Sequence, residues 1–332
     1  MTVEASGAAI EAIREAVGAW LGTLEPALRE GAIFPFESAE RFAWDYRPGE
    51  REGLSIGEMD ERQGTAAGAV VAAALSARSA AEVAAIVSLE PILGELERRN
   101  GRAGFERRDP ALYWFSVFGD PAGEGPWAWR LGGHHIAIEQ TFIGGRLAGT
   151  APSFLGANPA IVPAADWTAE RAGTRALTGE ETLARDLVRS LSAEQRRIAI
   201  VDPVAPPDIR SGVGRLAELD GIPAGIRHDE LDPPQQTALE SIVRYYVDRS
   251  RPELADEEWS RIVEAGLAAV TFAWAGPDEP GRGHYYAIRG PRTLIEYDDT
   301  QDGANHIHAV WRDPTNDWGE DVLAAHYVAA HR

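Results

Sequence analysis

Two blocks of strand-like sequence, at about 110–150 and 266–313, lie far apart with helical sequence between them, and this spacing constrains the fold more than any other feature. The first block holds ALYWFSVFGD, PWAWRLGG, HHIAIEQTFIGG and RLAGTAP. The second holds GLAAVTFAWAG, HYYAIRG, RTLIEYDD and NHIHAVWRD. Each run is short, aromatic or β-branched, and punctuated by Gly and Pro, which is the pattern of antiparallel strands. Folded separately, each block would leave a small sheet whose edge N–H and C=O groups invite association with other chains. Joined, the two blocks build one mixed or antiparallel sheet in an α+β fold.

Most of the remaining sequence reads as helix. Residues 6–29 carry Ile10, Ile13, Val17, Trp20, Leu21 and Leu24 at three-four spacing, and residues 57–99 repeat the pattern with Val83, Ile86, Leu89, Ile92, Leu93 and Leu96. A helical N-terminal part thus spans 1–104. A helical middle spans 166–260: it opens on 178–200, where Thr178 and Glu181 have capping-box spacing, crosses the Pro/Gly-rich connection DPVAPPDIRSGVG, and continues through 235–250. A content of 44% hydrophobic residues in 332 suffices for a large core, and the chain is read as a single α+β domain over 1–332. With helices on one sheet face, a site is expected on the other face or in the cleft between sheet and helices.

Composition narrows the chemistry. The chain has no cysteine, and all 32 of its basic residues are arginine, so thiolate chemistry, disulfides, lysine Schiff bases and a lysine-bearing phosphate loop are excluded. A formal charge of -20 without a basic stripe disfavours nucleic acid and anionic lipid as partners, leaving a small-molecule substrate. The N-terminal segment carries acids and helical spacing where a secretory signal carries basic residues, and AAGAVVAAALSA is too short to span a bilayer, so a cytoplasmic protein is expected. There is no G-x-S-x-G elbow and no H-E-x-x-H helix, Ser153 has no base nearby in sequence, and GVGRLA lacks the third glycine of a dinucleotide loop.

Only eight histidines are present, yet two stand one residue apart in NHIHAVWRD. Strand alternation turns His306 and His308 to one face with Val310 and Arg312. On the preceding strand, RTLIEYDD, Leu294, Glu296 and Asp298 share a face, and a hairpin through TQDGA would lay Glu296 or Asp298 beside the histidine pair. A third imidazole comes from GGHHIAIEQT: alternation groups His134 with Ile136, Ile138 and Gln140 on a core-like face, and His135 with Ala137, Glu139 and Thr141 on a polar one, which favours His135 and Glu139 for function and His134 as a core histidine, although a bulge at Gly132 and Gly133 would re-aim both rings. Two or three imidazoles with a carboxylate are the donor set of a mononuclear iron, copper, manganese or zinc site. His284 with Tyr286 is held in reserve as a packed pair, His326 as an outer partner on a terminal helix, and Arg130 and Arg312 as forks for a substrate carboxylate.

The strings YWFSVFGDPAGEGPWAWRLGGHH, PSFLGANPA (a loop in this reading), REGLSIGEMDERQ and HYYAIRGPRTLIEYDDTQDGANHIHAVWRDPTNDWGEDVLAAHY resemble the domain of unknown function 3500 family, from about residue 40 to the C-terminus. The resemblance implies recurrent residues at His134, His135, Tyr286, Glu296, Asp298, His306, His308 and Arg312. The chain departs from the family at Glu139, where Asn is usual, which adds an anionic group.

The expectation is therefore a metal-dependent oxidoreductase acting on a small organic substrate. His134 or His135, His306 and His308, with Glu296 or Glu139, would bind Fe, Cu or Mn, and Glu139, Tyr286 and Arg312 are the expected catalytic or orienting groups. A zinc-type hydrolase with Glu139 as general base and a metal-free small-ligand binding protein are the alternatives.

Overall fold

The computed structural model describes residues 3–164 and 171–320. His326 and the terminal helix expected around it lie outside the described residues. In chain order the elements are α1 (Val3–Thr23), α2 (Pro26–Ala32), β1 (Ile33–Phe34), β2 (Leu54–Ser55), α3 (Glu61–Ala74), α4 (Ala77–Arg99), β3 (Tyr113–Phe118), β4 (Trp127–Gly133), β5 (Ile136–Ile143), β6 (Arg146–Gly149) and β7 (Ser153–Ala157). Then come α5 (Gly179–Ser190), α6 (Ala193–Ala199), β8 (Ile200–Asp202), β9 (Ile226–Arg227), α7 (Pro233–Val247), α8 (Pro252–Gly266), β10 (Thr271–Ala275), β11 (His284–Gly290), β12 (Thr293–Asp299) and β13 (Ile307–Arg312).

Local signals place the helix ends. The segment read as one helix over 57–99 is two, because Leu75 is extended and Ser76 caps α4 by accepting from the Ser79 N–H. Ser192 breaks the 178–200 segment in the same way, its side chain and that of Gln195 forming a reciprocal cap at the start of α6. The Thr178 cap expected from spacing does not form. Glu181 is instead paired with Arg175 and Arg185.

The two strand blocks join. The sheet runs β1-β3-β4-β5-β7-β13-β12-β11-β10-β8, with β2 on β3, β6 on β5 and β9 on β10, and it is mixed because β1–β3 and β10–β8 are parallel. The seam is β7, drawn from PSFLGANPA, a segment whose Pro and Gly residues suggest a loop and which instead forms a strand. It pairs with β13 from Ser153↔Trp311 to Ala157↔Ile307 and with β5 from Ser153↔Ile138 to Leu155↔Ile136.

Alternation then divides the faces. Ile136, Ile138, Leu155, Ile307, Ala309, Trp311, Ile295 and Tyr297 pack into the large core with the helices. Ala137, Phe154 and Val310 face the other way, where loop residues Trp44, Tyr46, Ile209 and Trp318 cover them. The second face is thus closed by irregular chain, and this is the side on which the histidines gather. No helix among the described residues is long and apolar enough to cross a membrane.

Leu155 is fully buried and sits between Ile136 and Ala309 in register, at the seam itself. Leu155→Ala is expected to lower stability by about 2–5 kcal/mol, the usual range for a buried leucine. Urea unfolding checks this, and a loss under about 1 kcal/mol, typical of surface sites, would mean that the seam is not tightly packed.

Candidate metal centre

The β4–β5 turn, the end of β7, the start of β13 and the end of β12 meet at one end of the sheet. His134 and His135 are not strand residues, as alternation assumed; they form the two-residue reversal between the paired Gly133 and Ile136. His135 adopts φ 63, a left-handed conformation that costs a non-glycine residue about 1–2 kcal/mol. Two backbone hydrogen bonds hold it there: its N–H donates to Tyr46 O at 2.9 Å, and its carbonyl accepts from the Gly156 N–H at 2.8 Å.

This turn separates the two rings' roles. His134 stacks on His135 at 3.8 Å between centroids but turns Nδ1 to the buried Glu90 carboxylate at 2.5 Å, beside Arg108. His135 points inward instead. Its ring lies over Gly156, where an added Cβ would stand 2.9 Å from His135 Cδ2 and 2.8 Å from Ile307 O. Gly156 is directly opposite His308 in the β7–β13 register, so the missing side chain is the space that lets the two rings approach.

His135, His306 and His308 each offer a ligand nitrogen, and the three nitrogens lie within 4.8 Å of one another. Nε2 of His135 is 2.9 Å from Nε2 of His306. At metal–nitrogen distances of about 2.0–2.1 Å, an ion seated between such nitrogens fits with small side-chain shifts. The outward nitrogens are held from behind. His306 Nδ1 faces the Asp302 carboxylate at 3.4 Å and the Asn158 amide at 3.1 Å, and His308 Nδ1 is 2.7 Å from Asp208 Oδ1. A proton on His308 Nδ1, facing Asp208, leaves its Nε2 lone pair inward, the arrangement that orients metal-binding imidazoles, whereas His306 Nδ1 meets both the Asp302 carboxylate and an N–H donor of the Asn158 amide. Burial, reinforced by the neighbouring histidines, pushes His135 well below its ordinary pKa and His306 below it, so both rings are neutral and able to ligate near pH 7.

Two carboxylates flank His308. Asp298 is its direct partner in the β12–β13 register, as the hairpin argument allowed; burial raises its pKa to about 8, and its Oδ2 has no hydrogen-bond partner. Asp208 sits at the mouth. Burial alone would raise it, but hydrogen bonds with His308, the Ile209 N–H and the Tyr46 hydroxyl bring it below the usual carboxylate value.

Other candidates are occupied elsewhere. Glu296 accepts from the Tyr285 hydroxyl at 2.6 Å and from the backbone N–H groups of Arg210 and Ser211 at 2.6 and 2.9 Å, so both oxygens anchor a loop. Arg312 is fully buried, donating to Asp317 and to the carbonyls of Gly214 and Arg215 in that loop, which leaves it no fork for a substrate. Arg130 likewise clamps the carbonyls of Glu40 and Ala43 and the Glu40 carboxylate.

Tyr286 lies on the helix-packed face, bonded to Tyr246 and to Glu180 O, and His284 stacks on Trp274 beside it. Glu139 is four residues along β5 from His135, about 13 Å away at strand rise. It lies instead beside Arg41 at 3.8 Å, with Oε2 unpartnered. Sequence reasoning missed Asp208, Asp302, Asn158 and Tyr46. Asp208 lies in the connection read as a mere linker, and nothing local marks it.

Residues 6–320 match the family described as "Protein of unknown function (DUF3500)", and the chain belongs to it. No curated protein and no solved structure matches the chain.

Burial raises Glu139 to about 8, against the opposing pull of Arg41 and Arg130. A folded-state value above the unfolded one means that the folded protein holds this proton more tightly, so stability falls as pH rises from about 4.5 to about 8. Glu139→Gln removes that titration, so its stability relative to the parent is expected to grow between about pH 5 and about pH 9. Urea midpoints at both pH values check it. Parallel pH profiles would show that Glu139 is already ionised at the lower pH.

Proposed function

We propose that this protein is a metal-dependent enzyme, an oxidoreductase acting on a small organic molecule at a mononuclear centre formed by His135, His306 and His308. The observation that carries this reading is the convergence of three imidazole nitrogens from two distant stretches of chain, two of them backed by carboxylates. With Glu296 engaged elsewhere the set is nitrogen-only, which suits copper or iron better than manganese. Such an ion, when bound, supplies redox chemistry and a site for dioxygen or a substrate heteroatom.

This chain's own groups define the surroundings. Tyr46 and Phe154 stack at 4.3 Å and flank His308, giving it an aromatic wall. Beside His306, a cavity of about 370 Å³ is lined by Asn100, Arg102, Asn158, Asp302 and Asn305, which suits a small polar molecule. The acidic charge favours such a partner over nucleic acid or lipid, and the activity is placed in the cytoplasm. A second reading, a zinc-type hydrolase, is favoured by one observation: Asp298, with a pKa of about 8 beside His308, has the proton affinity of a general base near neutral pH.

Protein purified without an affinity tag is expected to hold stoichiometric metal by elemental analysis. His306→Ala and His308→Ala are expected to lose the ion held between the three imidazoles. Gly156→Ala, whose new methyl collides with the His135 ring, is expected to weaken metal binding by about tenfold or more. Absence of metal in the parent after reconstitution with copper, iron and zinc would leave a metal-free binding protein. Oxygen consumption by the copper- or iron-loaded protein separates oxidation from hydrolysis.

A further inference from the structure

His308 belongs to two groups of ligand atoms, one with His135 and His306 and one with Asp208 and Asp298, each within 4.8 Å of one another. Its Nδ1 lies 2.7 Å from Asp208 Oδ1, which leaves Nε2 as the ring's donor toward the other two imidazoles. Asp298 is fully buried; Thr300 donates to its Oδ1, and Oδ2 has no partner. A buried carboxylate oxygen without a donor is costly unless a cation or proton meets it. The Asp208 side chain is 36% exposed and gives an ion a path from solvent. Its position is fixed from behind, because Glu296 binds the N–H groups of Arg210 and Ser211 just after it.

We propose that Asp208, Asp298 and Nδ1 of His308 form a second cation site, so that His308 bridges two ions as an imidazolate. The pair of carboxylates supplies the two negative charges that a divalent ion neutralises, and the two-oxygen, one-nitrogen set suits Zn²⁺, Mn²⁺ or Fe²⁺. Binding releases two protons to solvent near neutral pH: the one that buried Asp298 otherwise holds and the Nδ1 proton shared with Asp208, both displaced as the ion takes their place. An ion on each ring nitrogen puts the two about 6 Å apart, given bonds of about 2.0–2.1 Å. The centre of the proposed enzyme is then dinuclear, with one nitrogen-rich and one oxygen-rich half.

The test uses the full chain loaded with excess Zn²⁺ or Cu²⁺ and then desalted. Two ions per chain are expected in the parent, and one each in Asp208→Asn, Asp298→Asn and, from the other half, His135→Ala. Asp208 is partly exposed, so its variant serves if Asp298→Asn fails to fold. In the copper form, magnetic coupling through the ring is expected to reduce the EPR intensity of the parent well below two spins per chain, with a full single spin restored in the one-ion variants. One ion in the parent, retained in both Asp variants, overturns the second site and leaves the three-histidine centre standing. No ion in the parent overturns both. Two ions with an undiminished two-spin signal overturn the bridge.

Discussion

Strand β7 is only five residues long, yet its hydrogen bonds to β13 on one side and β5 on the other turn two separate strand blocks into one sheet. Without it, β5 and β13 would each present an open edge in the middle of the molecule, with unpaired backbone groups facing an apolar core. The same pairing sets the register that puts Gly156 opposite His308 and leaves the His135 ring a place to lie. Fold and site therefore share one constraint: the backbone must approach closely where a side chain would block the third imidazole.

A second layer of interactions holds the loop-covered face. Glu296 binds the chain at Arg210 and Ser211, and Arg312 binds it at Gly214 and Arg215, so a segment without regular structure is pinned from both sides by buried charged groups. These hydrogen bonds satisfy backbone groups that burial would otherwise leave unpaired. They also fix Asp208 against His308. Two residues whose chemistry suggests ligation or substrate binding thus act one step back, positioning a carboxylate that no local pattern marks.

Strand alternation predicts side-chain direction where the chain is a regular strand. Asp298 pairs opposite His308 because a two-residue period has no freedom once the strands align, and His306, one residue before β13, converges with His308 on the same side. Alternation failed at His134 and His135, where the strand reverses and φ changes sign, so the rings are aimed by turn geometry instead. It also could not separate Glu296 from Asp298. Both lie on one face, and only the docking of residues 208–215 decides which of them keeps a free oxygen.

What the sequence determined by itself was the α+β class, the helix-covered sheet made from both strand blocks, and the histidine pair of NHIHAVWRD with its facing carboxylate. Each follows from local periodicity or from the need to close sheet edges. What only the tertiary structure decided was the seam at β7, the turn that aims His135 inward and His134 toward Glu90, the removal of Glu139, Tyr286 and Arg312 from the site, and the arrival of Asp208 and Asp302. Those depend on contacts between residues up to some 170 positions apart, such as His135 and His306. Local patterns constrain a residue's own backbone and face, but not which distant oxygen or ring packs against it.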